Sequence, residues 1–194
     1  MPTLDEKINS FEEQISIRHL RIGEVLSERF LVGDPNDELS HSAFVILGIG
    51  LSYFEMIEQF VTGNDSDRRS GHFFEEGFKR VYVATCLSPD DISRIYRRHR
   101  SGLFHTAMSK DLCSIDRSKM KAFEIQGDVL YINPAVLIQD VRLHFDQYCR
   151  DLRDPDPSKD LLRQNFLKTF DRLSSAANPQ GTIVPGTTPP PGLV

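Results

Sequence analysis

The sequence predicts an all-α fold, a helical bundle of about six helices with one small β-hairpin insertion. Three observations lead to this prediction. Apolar residues recur at spacings of three and four over most of the chain. Helix-start signals, in which a Ser, Thr or Asn precedes a proline or acidic residues, stand before several of these stretches. Only the stretch AFEIQGDVLYIN alternates like two strands around a tight turn.

The first two helices are predicted from a cap, an apolar stripe and a break. The capping-box pattern Thr3-Leu4-Asp5-Glu6 begins a long amphipathic helix that ends near the breaker cluster 33–36. Its predicted apolar face consists of Ile8, Phe11, Ile15, Ile22 and Leu26. A second helix runs from Leu39 or Ser40 to Thr62-Gly63, and its first half is apolar on all sides, which predicts a place at the centre of the bundle.

The remaining elements follow in order along the chain. A shorter helix over 73–84 is weakened by Gly77, and Ser88-Pro89-Asp90-Asp91 begins a fourth helix. The hairpin at 122–133 should pair Phe123 with Ile132 and Ile125 with Leu130. The fifth helix, after Asn133-Pro134, should bury Leu137, Val141, Phe145, Tyr148 and Leu152. The sixth should bury Leu162, Phe166, Phe170 and Leu173.

The chain is expected to form a single domain over residues 1–175, with the hairpin at about 122–133. Residues 176–194 contain five prolines and no charged residue. This composition predicts a disordered, Pro-rich tail.

Composition and charge exclude several classes of protein. The chain has 194 residues and a net charge of −5, which excludes binding of nucleic acid or of an anionic membrane by bulk charge. The longest apolar run, Ala43 to Leu51, is well short of the ~20 residues that cross a bilayer, and no signal-peptide core follows the charged amino terminus. We therefore expect a cytoplasmic protein with no membrane partner.

The cysteines and carboxylates predict neither a metal site nor a cofactor. Cys86, Cys113 and Cys149 are odd in number and form no C-x-x-C spacing, which argues against a disulfide framework and a zinc site and favours reduced, structural thiols. A di-iron bundle needs Glu-x-x-His twice, and the sequence offers only Glu38-Leu39-Ser40-His41.

The chemistry-bearing residues are concentrated between Ile92 and Lys110, a stretch that we call the basic segment. It has five basic residues and no acidic one within an acidic protein. At about 100° per helical residue, its polar side holds Arg94, Arg98, Ser101 and His105. An imidazole can transfer a proton near neutral pH, and arginines can hold phosphate oxygens. The segment is therefore either a site for acid/base chemistry on a phosphodiester or a solvated helix face.

The string IYRRHRSGLFHTA, residues 95–107, resembles the HEPN superfamily, whose helical-bundle members carry an arginine and a histidine four to six residues apart. The matching stretch is Arg100-Ser101-Gly102-Leu103-Phe104-His105, with Ser101 at the place usually held by a polar residue. The preceding FEMIEQF, the polar loop and FF..GF extend the resemblance over about residues 40–110. The hairpin and the last two helices lie outside it.

The resemblance implies a metal-independent endoribonuclease of a toxin or defence system. It implies attack of an RNA 2′-hydroxyl on the adjacent phosphate, with His105 transferring the proton, Arg100 stabilising the charged phosphorane and Arg98 as substitute or second phosphate contact. Family members commonly place two such sites at a dimer interface. We therefore expect a homodimer that acts on single-stranded RNA, with an antitoxin or defence protein as partner.

The sequence leaves the pairing of His105 open. Arg98 and His105 nearly eclipse each other on an ideal helix, whereas Arg100 and His105 lie about 140° apart. A bend at Gly102 would bring the second pair together. Arg94 and Ser101 are expected to support the phosphate site.

Two carboxylates complete the candidate site. Glu55 and Glu58 lie one turn apart near the polar end of the second helix. They are expected to complement the basic segment as ion-pair partners or to orient His105; structural pairing is the favoured role.

A rival hypothesis needs no catalysis. The chain would then be a helical module that binds RNA or a protein partner, or that only dimerises. In this interpretation the arginines solubilise a helix surface and His105 has no chemical role.

Overall fold

The structure, a computed structural model, describes residues 2–85, 87–97 and 113–177. In these ranges six helices pack around an aromatic-rich core to which a three-stranded sheet also contributes. The predicted architecture, a mainly helical bundle with a small β insertion, is confirmed.

The first helix is continuous from Leu4 to Val32 and has three parts. These are α1 (Leu4–Glu12), a π-helical segment (Glu13–Leu20) and α2 (Arg21–Val32). The predicted capping box begins it: the Glu6 amide donates to the Thr3 hydroxyl at 3.2 Å, and the Thr3 amide donates to the Glu6 carboxylate at 2.7 Å. Gly33, with a φ of +66°, ends it within the predicted breaker cluster.

The π-helical segment makes one part of the predicted apolar face wrong. Ile8 and Phe11 are buried as predicted, but Ile22 is 51% exposed. Hydrogen bonds from i to i+5 give a π-helix more residues per turn than an α-helix, so α2 is rotated relative to the phase that α1 sets. As a result Gly23, not Ile22, meets Ile138 in the bundle.

The second helix occupies the middle of the bundle. After a 3₁₀ turn (Glu38–His41), α3 (Ala43–Thr62) begins a few residues later than predicted and ends at Gly63 as predicted. Its first half is less buried than predicted, since Phe44 is 42% and Val45 is 56% exposed. Within the described residues, α2 and the fifth helix cover the inner side of this half, and no element covers the outer side.

Two helices follow before the sheet. α4 (Ser70–Val81) begins three residues earlier than predicted. α5 (Pro89–Ile95) begins where predicted, because the Ser88 hydroxyl accepts from the Asp91 amide at 3.2 Å and the Asp91 carboxylate accepts from the Ser88 amide at 3.1 Å.

The sheet contains the predicted hairpin and one strand that was not predicted. Its strands are β1 (Cys113–Ile115), β2 (Phe123–Gln126) and β3 (Val129–Ile132), in the order β1-β3-β2. Phe123 pairs with Ile132 and Ile125 with Leu130, as predicted. Gly127 has a φ of +60° at the first turn position, which favours glycine. β1 adds to β3 in parallel.

The last two helices close the core. α6 (Pro134–Arg153) buries its whole predicted stripe, and α7 (Asp160–Ala177) buries Phe166 against Phe11 and Phe60. Leu173, predicted to be inside, is 45% exposed. Because α7 extends to Ala177, the first two residues of the predicted tail, 176 and 177, are helical. Residues 178–194 lie outside the described residues.

Two further predictions concern cysteines and membranes. Cys149 is a free, buried thiol, whereas Cys86 and the side chain of Cys113 lie outside the description. By length and composition α3 would suffice to cross a bilayer, although half of its most apolar stretch is buried inside the bundle.

Candidate functional site

The basic segment begins on α5, which is anchored in the core. Ile92 and Ile95 are 1% and 0% exposed, so the predicted apolar side of this helix faces inward. The description of the segment ends at Arg97. Four of the predicted site residues, Arg98, Arg100, Ser101 and His105, lie outside the described residues. The choice between Arg98 and Arg100 therefore stays a prediction.

The described part of the segment makes two contacts. Arg94 donates from Nη2 to the Asp128 carbonyl in the hairpin turn at 3.3 Å. The ring of Tyr96 lies 5.2 Å from that of Phe74 and packs over Gly71, both on α4. The end of α5 is thereby fixed beside the first turn of α4, and Arg97 is exposed at this point.

The residues that lead into α4 are positively charged, and we call Arg68, Arg69 and Ser70 the α4 start. The Arg68 side chain is 93% exposed, with its Nε 4.0 Å from the Asp67 carboxylate. The Arg69 guanidinium lies 5.2 Å from the centre of the Phe73 ring. No side chain caps the helix amides here, and no acidic residue occupies the first turn. Such a helix end attracts anions.

The predicted carboxylates have different partners. Glu58 is buried and forms an ion pair with Arg80 of α4, whose Nη2 donates at 3.2 Å and whose Nε donates to the other oxygen. Glu58 therefore pairs within the bundle and not with the described part of the basic segment. Glu55 accepts a hydrogen bond from the Ser66 hydroxyl at 2.7 Å, in the loop that leads to the α4 start.

A second group of polar residues, which sequence reasoning missed, lies between α4 and α6. A cavity of about 610 Å³, the α4–α6 cavity, is lined by Arg80 and Lys79 from α4 and by His144 and Asp151 from α6. Lys159, in the 3₁₀ turn (Pro157–Lys159) before α7, completes one end of the cavity.

His144 is held by a buried partner. The Tyr53 hydroxyl of α3 lies 2.8 Å from His144 Nδ1, and the Tyr53 residue is 1% exposed. Burial and the nearby Arg80 guanidinium lower the pKa of His144, with Asp151 acting in the opposite direction. Burial also raises the pKa of Tyr53. At neutral pH the pair is therefore an uncharged imidazole and an uncharged phenol.

No local sequence signal identifies this cavity. His144 precedes Phe145 of the buried stripe, and Arg80 lies in an exposed turn of a different helix. Only the packing of α4 and α6 on α3 brings the two side chains together. A motif defined by the spacing of an arginine and a histidine within one helix does not include such a pair, because Arg80 and His144 belong to different helices.

Comparison of the chain with protein-family models, curated proteins and solved structures gives no match. Among the described residues, no group of three or more His, Cys, Asp and Glu side chains is arranged to hold a metal ion.

Proposed function

We propose that the protein is a HEPN-like RNA-binding protein that cleaves single-stranded RNA without a metal ion, at the basic segment. The observation that carries the proposal is the contact of Tyr96 with Gly71 and Phe74. Because Tyr96 precedes Arg97, this contact places the exposed Arg97 beside the α4 start, where no side chain caps the helix. Together these residues form a cationic surface, and Arg97 belongs to the string 95–107 that resembles the HEPN superfamily.

Local charge supports RNA binding in spite of the acidic total. Arg68, Arg69 and Arg97 are exposed, and the helix dipole of α4 adds a partial positive charge at the same place. Asp65, the other carboxylate of the preceding loop, is paired with Arg172 of α7 at 3.0 Å. The surface therefore has an excess of cations that phosphate groups would neutralise.

The chemistry follows from the resemblance. The 2′-oxygen of the RNA attacks the adjacent phosphorus, the bond to the 5′-oxygen breaks, and the products are a 2′,3′-cyclic phosphate and a 5′-hydroxyl. His105 transfers the proton, and Arg100, with Arg98 as substitute, stabilises the negative charge of the phosphorane. Reaction at a 2′-hydroxyl would restrict cleavage to RNA.

The test combines binding and cleavage of a labelled single-stranded RNA in EDTA. His105→Ala should lower the cleavage rate by about 10²–10⁴ with binding largely unchanged. Arg68→Gln/Arg69→Gln should weaken binding and reduce the slope of log affinity against log salt by about one to two. The matched control, Arg18→Gln/Arg150→Gln, removes two exposed arginines outside this surface and should leave both readouts unchanged.

Two results would contradict the proposal. Wild-type protein that leaves every tested RNA uncut would exclude the nuclease. Binding that depends on the control arginines as much as on the α4 start would show a nonspecific interaction.

A specific observation favours dimerisation as a second function. Ile22 of α2 and Phe44 and Val45 of α3 are exposed, and the two helices pack together where Gly23 approaches Ile49. We call Ile22, Phe44 and Val45 the α2–α3 face. An apolar surface of this kind is typical of a protein interface, for a second copy or for an antitoxin or defence partner.

Light scattering at micromolar concentration tests this function. The wild type should be a dimer, and Val45→Glu should give a monomer because it buries a charge in the interface. Leu161→Glu, at a 68% exposed position on α7, is the control and should stay dimeric. A monomeric wild type would contradict the proposed dimer. The RNA-binding proposal would not be affected, because it is tested separately.

A further inference from the structure

We propose that the α4–α6 cavity binds a small organic phosphate, with Arg80 and His144 donating hydrogen bonds to the phosphate group. No described residue of the basic segment lines this cavity, and the proposal does not depend on the proposed nuclease. The cavity volume of about 610 Å³ is in the range of small-molecule sites.

The orientation of the Arg80 guanidinium is fixed by a buried carboxylate. The buried Glu58 carboxylate accepts from Arg80 Nε and Nη2, which fixes the plane of the guanidinium. Nη1 forms no hydrogen bond with any described residue, and the Arg80 side chain lines the cavity while remaining 38% exposed. One donor nitrogen of a fixed guanidinium is therefore available to a ligand.

His144 is oriented in the same way by Tyr53. Within the described chain, His144 Nδ1 is the one hydrogen-bonding partner of the buried Tyr53 hydroxyl. We assign the hydroxyl as the donor, since it has no other acceptor among the described residues, and this assignment makes Nδ1 the acceptor and places the ring proton on Nε2. Because the ring lines the cavity, Nε2–H is the second donor available there.

Both supporting residues belong to α3. Tyr53 turns toward α6 and Glu58 toward α4, so the central helix sets the orientation of both donors. Side chains whose partners are buried lose little further entropy when they bind a ligand. The arrangement has the form of a prepared binding site and not of two unrelated surface contacts.

The other charges of the cavity are already paired. Glu76 accepts from Lys79 at 2.9 Å, and Asp151 pairs with Lys159 at 3.3 Å. Lys79 also donates to Glu75 at 2.8 Å, so it serves two carboxylates, and both lysines line the cavity. A ligand anion would meet the two free donors and the lysines, not an unpaired acid.

The shape and lining favour a phosphate ester over a carboxylate. Donors reach the cavity from α4, from α6 and from the turn before α7, and a phosphate has three terminal oxygens to receive them, whereas a carboxylate has two. The apolar side chains Val61, Val83 and Leu162 line the rest of the cavity and would contact the organic part of the ligand.

The test is calorimetric titration of the full chain at pH 7 with phenyl phosphate, inorganic phosphate and benzoate. Phenyl phosphate should bind with a Kd of about 0.1–1 mM, and inorganic phosphate and benzoate at least about tenfold more weakly. The ¹⁵N resonance of His144 Nε2 should shift on saturation, a readout that needs no variant.

Variants assign the donors. His144→Phe should weaken phenyl phosphate binding about tenfold or more, and His144→Gln, whose amide can place a donor near the position of Nε2, should retain part of the affinity. Glu58→Gln/Arg80→Gln removes the guanidinium without leaving a buried charge and should have an equally large effect. The matched control is His19→Phe, because His19 is also partly buried but bonds Ser52 outside the cavity.

Three outcomes would overturn the inference. They are absence of saturable binding up to about 10 mM phenyl phosphate, equal binding of benzoate, and unchanged affinity in folded His144→Phe and Glu58→Gln/Arg80→Gln proteins. RNA binding and cleavage are measured separately, so this failure is distinguishable from failure of the nuclease proposal.

Discussion

Gly77 of α4 lies directly against the backbone of Phe54 of α3. A Cβ at position 77 would come within 1.9 Å of the Phe54 carbonyl oxygen, far inside van der Waals contact. The glycine that weakens the helix in sequence terms is therefore what allows the two helices to approach closely. Neither backbone can yield without separating α3 from α4.

Gly77→Ala should destabilise the protein by about 1–3 kcal/mol or more through this overlap, despite the better helix propensity of alanine. The matched control is Gly48→Ala in α3, where no atom lies within 4 Å of the added Cβ. Gly48→Ala should raise the free energy of unfolding by about 0.5–1 kcal/mol. Urea denaturation of both variants measures the difference, and equal effects would show that the helix contact is looser than described.

Arg80→Ala should cost about 3 kcal/mol of unfolding free energy, because it leaves the Glu58 carboxylate buried without its cation. Glu58→Gln/Arg80→Gln should recover part of the loss, since no charge remains buried. Arg18→Ala, which breaks an exposed pair with Glu13, should change stability by less than about 0.5 kcal/mol. A double-mutant cycle by chemical denaturation gives the coupling energy, and a value near zero would exclude a structural role for the pair.

Stability should fall with acid through His144. Its pKa is lowered in the folded protein by burial and by Arg80, so below its ordinary value of about 6.5 the unfolded chain binds the proton first. The contribution of His144 to the free energy of unfolding is therefore complete above about pH 6.5. Below that pH it should decrease by up to about 1.4 kcal/mol per pH unit.

His144→Gln should flatten this part of the stability profile, as measured by denaturation at a series of pH values. Burial also lowers the pKa of His19, so the slope should be reduced further in the double variant with His19→Gln. A profile that is the same in wild type and His144→Gln would contradict the prediction.

Cys149 should be unreactive in the folded protein. It is 2% exposed, and burial raises the pKa of its thiol to about 12. At pH 8 its thiolate fraction is lower than that of a free thiol by roughly a thousandfold. Alkylation followed by peptide mapping should label Cys149 only after unfolding, and rapid labelling of the native protein would show that α6 opens locally.

The elements that are specified by local sequence signals could be predicted from the sequence. The hairpin register follows from alternation around Gly127, and the α6 stripe follows from a cap at Asn133 and a spacing of three and four. Each of these signals lies within one element, which is why they were reliable.

The features that were missed depend on contacts between distant parts of the chain. Nothing in the local sequence specifies the π-helical segment that turns Ile22 outward. β1 is only three residues long and is defined by its pairing with β3. His144 and Arg80 become neighbours only because α3 packs between their helices. Tertiary packing brings the partners together in the last two cases.

The pairing of β1 with β3 fixes one end of the connection between α5 and the sheet. Residues 98–112 connect Arg97, two residues after the end of α5, to β1, which begins at Cys113. Since the folded scaffold holds both ends, exchanging the connection for one of similar length adds little to the entropy of closing it. The bundle, by fixing the two ends, leaves the length of the connection as the main determinant of this entropy.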